Sequence, residues 1–393
     1  MLAGLKGFRP AADNAADFVT PPYDVIKPGS ALEAQLKAKK DSLFHIILGE
    51  NPAERLQKHL IDGLLIRDDV PCIYITKQYY GEECRIGFFA AVEVYGYDKK
   101  KIIRHEKTFD DKVQGRLELA RKTGCTFEPI FLLSKTNIND ILLRICEENT
   151  PIYDIKPKFE GGNDLDLVKT VVYRLPMDSG AAKELVGVMD GFPLYIADGH
   201  HRYHAALLGG QKYCMAYITS DAVIHAYDRV INGMVDFESA KDKFELQAAD
   251  EFVTPLKHSF CIYHAGNSYV LDYSATHQDE TDVVGKLDCS LLERTLYPAL
   301  GLDHGMVKDI EHFDYFPDYD LDKMKALVDD GKYDIAVALH PVSVDELIAV
   351  ADAGLVNPDI VMPEKSTYFS PKILSGLIII ENEYVMASEP TEQ

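Results

Sequence analysis

The segment FPLYIADGHHRYHAALLGG at residues 192–210 constrains this chain more than any other. An apolar run ends at Asp198 and is followed at once by a glycine and by a stretch with three histidines and one arginine. Short apolar runs are typical of buried strands, and Gly209 and Gly210 stop the helical spacing that follows the turn. The sequence therefore predicts a strand, a tight turn and a helix, with ionisable groups at the turn.

The turn has the features of an anion site. The first N–H groups of a helix lack intrahelical partners, and the helix dipole favours negative charge there. Gly199 permits a close approach of the backbone, Asp198 can cap the helix, and Arg202 can offer a planar fork to phosphate oxygens. His200 and His201 add hydrogen-bond donors or a general base. We interpret the turn as a phosphate site, and the alternative is an ordinary amphipathic helix that Asp198 caps.

Other nucleotide and metal motifs are missing from the sequence. It contains neither a P-loop motif nor a G-x-G-x-x-G linked to a strand. His200 and His204 stand one helical turn apart, as in zinc sites, but the glutamate of an H-E-x-x-H motif is missing. Zinc is the weaker interpretation of this pair, and the predicted phosphate site is of another kind.

The acidic composition limits the partners that the chain can have. The 393 residues carry a formal net charge of -22 at pH 7, which repels phosphodiester backbones. We therefore expect neither DNA nor RNA as a partner, and expect a small anion such as a nucleotide at a local positive site. No apolar run approaches the roughly 20 residues of a membrane helix, and the first residues do not resemble a signal peptide. The seven cysteines form no C-x-x-C pair. A cytoplasmic protein with no membrane partner is expected, and its oligomeric state stays open.

The length and the order of the elements predict two domains. A chain of 393 residues is too long for one ordinary core. Short β-rich runs alternate with helical stretches up to about residue 240, which predicts an α+β, or mixed α/β, first domain over residues 1–240. Residues 241–393 open with a predicted β-hairpin and continue with helices and a strand, which predicts a second, smaller α/β domain.

The motif at the turn also carries a resemblance. ADGHHRYHAAL resembles the signature of the ParB/sulfiredoxin-like fold group, in which a short motif between a strand and a helix N-terminus binds nucleotide phosphates. Sulfiredoxins have a catalytic cysteine where this chain has His200, and ParB proteins carry a basic helix-turn-helix that we do not find. Free serine kinases of the group have D-G-H-H-R itself, so the resemblance implies a nucleotide-binding first domain of this fold.

The chain as a whole resembles the family called domain of unknown function 1015. Six recurrent pieces of that family occur here in order, which makes the resemblance specific. They are FRP (8–10), TPPYDVI (20–26), IIRHEKT (102–108), LYIADGHHRYHAA (194–206), LDCSLLE (287–293) and MPEKSTYFSPKILSGL (362–377).

The kinase resemblance implies roles for the residues at the turn. His200, His201 and Arg202 would hold phosphates, with Gly199 at the close approach. Asp198 would bind Mg²⁺ or accept the proton of the substrate hydroxyl. A glutamate upstream of the motif is also implied, and Glu106 in RHEKT is the best match in order. Phosphoryl transfer requires a positioned carboxylate and neutralisation of phosphate charge, so Glu106 and Asp198 could divide these tasks, with His200 assisting.

Three further segments are weaker candidates for substrate contacts. The charged residues around Glu106 could contact the transferred phosphoryl group, or they could be a solvated strand end. The two prolines before Tyr23 could form a wall of the substrate site or a turn. The basic and hydroxyl side chains near the C-terminus could bind an anion or lie in an exposed turn. The candidates are Tyr23, Asp24, Arg104, His105, Lys107, Thr108, Lys365, Ser366, Thr367 and Lys372.

These observations favour a Mg²⁺-dependent kinase. The predicted reaction moves a phosphoryl group from ATP or ADP to the hydroxyl of a small metabolite, with free L-serine as the first candidate. One alternative is a regulatory module that binds CTP or ATP without metabolite turnover. The other is a nucleotide or phosphoester hydrolase, in which Glu106 would act on water.

Overall fold

The computed structural model describes residues 1–108, 110–160, 168–233, 237–274, 279, 281–302, 305–306, 309 and 312–384. They form two compact units. The first is Met1–Ala222 with the chain from Pro371 onward, and the second is Val223–Ser370. The units therefore divide between residues 222 and 223 and not near residue 240, because a strand at 227–231 pairs only with strands that come later in the chain.

The strands alternate with helices along most of the chain. In chain order the strands are β1 (Leu2–Ala3), β2 (Gly7–Pro10), β3 (Leu65–Arg67), β4 (Cys72–Tyr80), β5 (Glu83–Glu93), β6 (Ile102–Ile103), β7 (Cys125–Thr126), β8 (Ile130–Ser134), β9 (Tyr153–Ile155), β10 (Lys169–Pro176), β11 (Leu194–Asp198), β12 (Tyr213–Thr219), β13 (Val223–His225), β14 (Tyr227–Ile231), β15 (Gln247–Ala249), β16 (Ser259–His264), β17 (Asn267–Asp272), β18 (Phe313–Pro317), β19 (Ile335–Leu339), β20 (Tyr368–Ser370) and β21 (Ile379–Glu381).

The helices are mostly short. They are α1 (Ala15–Phe18), α2 (Ala31–Ala38), α3 (Phe44–Ile47), α4 (Pro52–Ile61), α5 (Asp110–Thr123), α6 (Asn139–Glu148), α7 (Gly180–Met189), α8 (His200–Leu208), α9 (Phe237–Phe244), α10 (Asp288–Arg294), α11 (Leu296–Ala299), α12 (Leu321–Asp329) and α13 (Val344–Gly354). Capping side chains start several of them: Ser179 caps α7, and Ser343 with Glu346 forms a capping box on α13. The predicted mixed α/β fold class is confirmed.

A nine-stranded mixed sheet organises the first unit. Its order is β6-β11-β8-β12-β5-β4-β10-β9, and β1 pairs with β5. Every residue of β8 is buried, and apolar side chains from the sheet form one core with those of α6, α7 and α8. A four-stranded sheet, β3-β2-β21-β7, contains the strand that the C-terminal segment contributes.

The second unit is built on a six-stranded sheet of order β15-β17-β16-β19-β14-β18, with β13 and β20 as a separate pair. The predicted hairpin is confirmed as β16 and β17, and its turn residues Ala265 and Gly266 both have positive φ. Paired positive φ values match the right-handed twist of the flanking strands, which explains a turn that contains glycine.

Two further features bear on the sequence expectations. All seven cysteines are free thiols, and six of them are buried, with Cys84 exposed. Within the described ranges, no helix combines the length and the apolar character needed to cross a bilayer.

Candidate functional site

Parallel pairing of β6 with β11 creates the candidate site. Ile102 pairs with Leu194 and Ile103 with Tyr195, so the two strands run in the same direction and end at the same edge of the sheet. Continued by three residues, this register puts residue 106 opposite residue 198. The chain after β6 therefore meets the chain after β11, and the segments RHEKT and DGHHR come together, which the sequence left open.

Gly199 makes the turn between β11 and α8. Its backbone has φ +92, in the left-handed region that favours glycine. A Cβ at this position would lie 2.9 Å from Nε of Arg202, so the guanidinium occupies the space that a side chain would need. The predicted strand, turn and helix are confirmed. Gly199 is the N-cap, and no side chain caps α8, so Asp198 does not have the predicted capping role.

Asp198 lies between two cations. Its Oδ2 is 3.3 Å from Nζ of Lys372, and its Oδ1 is 3.5 Å from a terminal nitrogen of Arg202. Burial opposes ionisation of Asp198, but Lys372 and Arg202 outweigh burial and hold the pKa of this carboxyl well below its ordinary value. The carboxylate is therefore charged at neutral pH, and its side chain is 28% exposed.

Arg202 is fixed from a second side. Its guanidinium donates to the carbonyl oxygen of Pro129. Burial alone would lower the pKa of Arg202, but the carboxylates of Asp198 and Glu128 raise it, so the charge is retained. A charged guanidinium that is 13% exposed, at a helix N-terminus, is suited to bind phosphate.

Glu128 organises the chain on the other side of Arg202. Its Oε1 accepts from the backbone N–H of Tyr23 and from Oγ of Ser375, each at 3.0 Å, and its Oε2 lies 3.2 Å from Arg116. The guanidinium of Arg116 stacks on the ring of Tyr23, 3.8 Å from its centroid. Neither Glu128 nor Arg116 belongs to a motif, and sequence reasoning missed both, since only their long-range contacts identify them.

His105, Glu106 and His200 form a compact polar cluster. Nδ1 of His200 is 3.4 Å from Oε2 of Glu106, and Nε2 of His105 is 3.8 Å from Oε1 of the same carboxylate. The two imidazole rings meet edge to face with centroids 4.5 Å apart. Both histidines are buried, while the carboxylate of Glu106 is 28% exposed.

Burial keeps the two histidines neutral. It lowers the pKa of His105 to about 4, against the opposing effects of the Ile196 backbone and of Asp198. Burial, with the nearby His105, holds the pKa of His200 well below its ordinary value. His201 is also shifted: burial and then Lys112 lower its pKa to about 4, while Asp24 acts in the opposite direction. Neutral imidazoles beside a carboxylate can accept protons or ligate a metal.

The remaining candidates are only partly gathered. Lys372 reaches Asp198, and Tyr23 lies in the Glu128 network, whereas Arg104 stacks on Tyr97, 4.3 Å from the ring centroid. His204 also faces Tyr97, with Nδ1 3.5 Å from its hydroxyl, so this histidine has a packing partner of its own. Lys107 and Thr108 follow Glu106 directly in the chain.

The other basic and hydroxyl candidates belong to the second unit. Ser366 is buried there and donates to the carbonyl of Pro363, and Lys365 lies over the ring of Tyr227. Thr367 is also buried in that unit. The segment that the sequence presented as one basic stretch is therefore divided, since Lys372 belongs to the first unit and these three residues do not.

A model of one protein family matches residues 2–290, and its description is a protein of unknown function, DUF1015. Among curated proteins, none matches the chain. Three similar solved structures are each 13% identical to it. A free serine kinase in complex with AMP has a TM-score of 0.39 and covers 72% of this chain and 86% of its own. A conserved hypothetical protein from Pyrococcus furiosus has a TM-score of 0.35, over 76% and 94%. SbnI with a C-terminal truncation, from Staphylococcus aureus, has a TM-score of 0.37, over 73% and 85%.

Proposed function

The chain belongs to the DUF1015 family, and from its site we propose that it is a nucleotide-dependent kinase that phosphorylates the hydroxyl of a small metabolite. One observation carries the proposal. A partly exposed carboxylate, Glu106, lies against His200 in the first turn of a helix whose N-terminus also presents Arg202. A proton acceptor beside a phosphate-type turn is what phosphoryl transfer to a hydroxyl requires.

The phosphate groups of the nucleotide would bind at the turn. The backbone N–H groups that begin α8 would donate to an anion at its N-terminus, and Gly199 permits the left-handed turn that leads into the helix. Arg202 and Lys372 supply positive charge, and Asp198 holds both cations near one another. His201 adds a donor on the side of Asp24. This local charge is what the acidic chain needs to hold a nucleotide.

Glu106 would accept the proton of the acceptor hydroxyl. The oxygen of that hydroxyl attacks the terminal phosphorus of ATP or ADP, a new P–O bond forms, and the bond to the remaining nucleotide breaks. The hydroxyl proton passes to the Glu106 carboxylate. His200, 3.4 Å away and neutral, orients this carboxylate through Nδ1. Correct positioning of both groups is the main contribution of the protein in this reaction class.

The donors of the site also fit Mg²⁺. This ion prefers oxygen ligands and is commonly held by one or two carboxylates together with substrate phosphates. Asp198 would hold it, because its oxygens are only loosely engaged at 3.3 and 3.5 Å. When bound, the ion neutralises phosphate charge, and Glu106 stays available for the proton.

An amino acid with a hydroxyl is the acceptor class that we propose. An amino acid with a hydroxyl, such as free L-serine, carries an ammonium group and a carboxylate that need opposite partners. Asp24, which acts electrostatically on His201 and Arg202, would offer the negative charge, and Lys107, the residue after Glu106, would offer the positive charge. Tyr23, held by Glu128 and Arg116, would form the wall behind the acceptor.

A transfer assay tests the proposal. The purified full-length chain is incubated with Mg²⁺, either ATP or ADP, and a panel of hydroxyl metabolites led by L-serine, and products are identified by mass spectrometry. We expect a phosphorylated acceptor. Release of inorganic phosphate without any acceptor would instead support a hydrolase. Tight nucleotide binding without turnover would support a regulatory module.

Two variants test the division of roles. Glu106→Gln keeps the shape of the side chain and removes the proton acceptor, so nucleotide affinity should stay within about twofold while turnover falls by about 10²–10⁴. Arg202→Ala removes a phosphate ligand, so it should weaken nucleotide binding itself. Equal loss of nucleotide affinity in both variants would contradict the assignment.

A further inference from the structure

We propose that His105, Glu106 and His200 form a binding site for a borderline divalent cation, with Zn²⁺ as the best fit. In the described part of the chain, these three residues place one potential ligand atom each within 4.8 Å of one another. The site shares His200 with the phosphate-binding turn but uses neither Asp198 nor Arg202, and its chemistry is different: two imidazole nitrogens and one carboxylate.

The distances suit a metal after a small contraction. Ligands about 2.1 Å from a tetrahedral centre lie about 3.4 Å apart. The separation between Nδ1 of His200 and Oε2 of Glu106 is already 3.4 Å, and that between Nε2 of His105 and Oε1 of Glu106 is 3.8 Å. Metal binding would break one contact, a hydrogen bond of 3.5 Å from the backbone N–H of His105 to Nε2 of His200. When Nδ1 of His200 ligates the metal, Nε2 carries the proton and can no longer accept this bond.

The state of His105 supports the site independently. Its side chain is fully buried, and neither ring nitrogen meets the geometry of a hydrogen bond within the described ranges, although the Ile196 backbone lies close enough to act on the ring. A buried imidazole without such bonds costs free energy unless another partner satisfies it. A metal ion at Nε2 would be that partner.

The donor set selects the class of metal. Imidazole nitrogen suits Zn²⁺ and its first-row neighbours, whereas Mg²⁺ requires oxygen ligands and near-octahedral geometry. Two nitrogens and one oxygen, with a water at the exposed side of Glu106, give the four ligands of an open zinc site. Zn²⁺ should therefore bind here in the presence of excess Mg²⁺.

Binding at this site would regulate the enzyme, an inference that rests on the proposed function. A carboxylate that ligates Zn²⁺ cannot accept the proton of a substrate hydroxyl. Zn²⁺ should therefore abolish transfer without displacing the nucleotide, because Arg202 and Lys372 are not among its ligands. A chelator should restore the activity.

Calorimetry with ZnCl₂ on the tag-free, metal-depleted full chain, without nucleotide, tests the site directly. We expect one bound equivalent, with affinity reduced more than about 100-fold in Glu106→Gln and in His200→Gln, since loss of a ligand exceeds the effect of outer-sphere changes. His204→Gln is the matched control on the same helix and should bind as the wild type does. Because buried histidines are also structural, circular dichroism of each variant must match the wild type, and Glu106→Gln, at a partly exposed position, is the decisive variant.

The outcomes separate the two proposals. No Zn²⁺ binding, or equal affinity in the wild type and in Glu106→Gln, would overturn the metal site whether or not the chain is a kinase. Zn²⁺ binding that depends on Glu106 supports the site even if no acceptor is phosphorylated. If transfer occurs and saturating Zn²⁺ does not inhibit it, the regulatory role is overturned.

Discussion

Two aspartates of the first unit are each held by two basic side chains, but in different ways. Asp68 is 1% exposed, and it contacts Arg9 at 3.0 Å, Arg174 at 2.5 Å and the hydroxyl of Tyr74 at 2.5 Å. Asp198 is 28% exposed, and its cations stand at 3.3 and 3.5 Å. The first carboxylate is saturated with short contacts, which is typical of a structural group, whereas the second leaves room for a ligand among its cations.

The comparison separates stability from function within one chain. Short, buried and fully satisfied contacts rigidify a fold and offer nothing to a substrate. Long contacts at an exposed edge hold charges near one another at little energetic cost and allow them to turn toward an anion. The Asp198 cluster also stands beside a left-handed glycine and a helix N-terminus, which the Asp68 cluster lacks.

The largest expected effect comes from Asp68→Ala. Loss of a buried carboxylate with two arginine partners should lower the free energy of unfolding by about 3 kcal/mol, since the charges of Arg9 and Arg174 lose their counterion. Urea denaturation measures the change. The exposed neighbour Asp69→Ala is the control and should alter the free energy by less than about 0.5 kcal/mol. Equal effects of the two substitutions would show that the Asp68 cluster is not structural.

Asp228 in the second unit extends the comparison to a carboxyl that forms no ion pair within 4.0 Å in the described part of the chain. Its Oδ1 accepts from the N–H of Leu339 at 3.0 Å, and its Oδ2 has no hydrogen-bond partner in the described chain. Burial raises the pKa of Asp228 well above its ordinary value. The folded state therefore keeps a proton that the unfolded state releases above about pH 3.9, so this group makes the protein less stable as the pH rises.

Asp228→Asn should remove that contribution. The free energy of unfolding of the variant, relative to the wild type, should rise by about 1.4 kcal/mol for each pH unit above about pH 4, until the pH reaches the folded pKa of Asp228. Urea denaturation at several pH values gives this difference and cancels the titration of the other groups. A difference that stays constant with pH would mean that Asp228 is ionised in the folded protein.

Asp198→Asn should have the smallest effect on stability. Its contacts with Lys372 and Arg202 are longer and its carboxylate is more exposed than that of Asp68, so the free energy of unfolding should fall by less than in Asp68→Ala. Turnover should nevertheless fall more than about tenfold, since Lys372 and Arg202 lose the group that holds them together. Denaturation and the transfer assay on the same preparation measure both. A loss of stability as large as that of Asp68→Ala would remove the distinction between the two clusters.

The elements that depend on local pattern could be predicted from sequence. The strand and helix on either side of Gly199 and the hairpin of β16 and β17 follow from apolar periodicity and turn glycines, and all are confirmed. The unit boundary could not be predicted in this way. It depends on which strands pair across more than eighty residues, as β14 does with β18, and no local pattern encodes that choice.

The candidate site likewise contains residues that the sequence indicated and residues that only the fold identifies. The kinase resemblance pointed to Glu106 and to D-G-H-H-R as site residues, but whether the two segments meet could not be predicted. The parallel pairing of β6 and β11 brings Glu106 to 3.4 Å from His200. Lys372 was one of ten weaker candidates, and its contact with Asp198 spans 174 positions of the chain. Glu128 had no sequence signal, because its role comes entirely from partners that the fold brings to it.

The most direct test of the central claim is a single-turnover measurement of phosphoryl transfer to the preferred acceptor by the wild type and by Glu106→Gln, with nucleotide affinity measured in parallel. We predict a phosphorylated acceptor from the wild type, a loss of at least about 10² in rate for the variant, and the same nucleotide affinity in both. A variant that transfers the phosphoryl group as fast as the wild type would contradict the assignment of Glu106 as the proton acceptor.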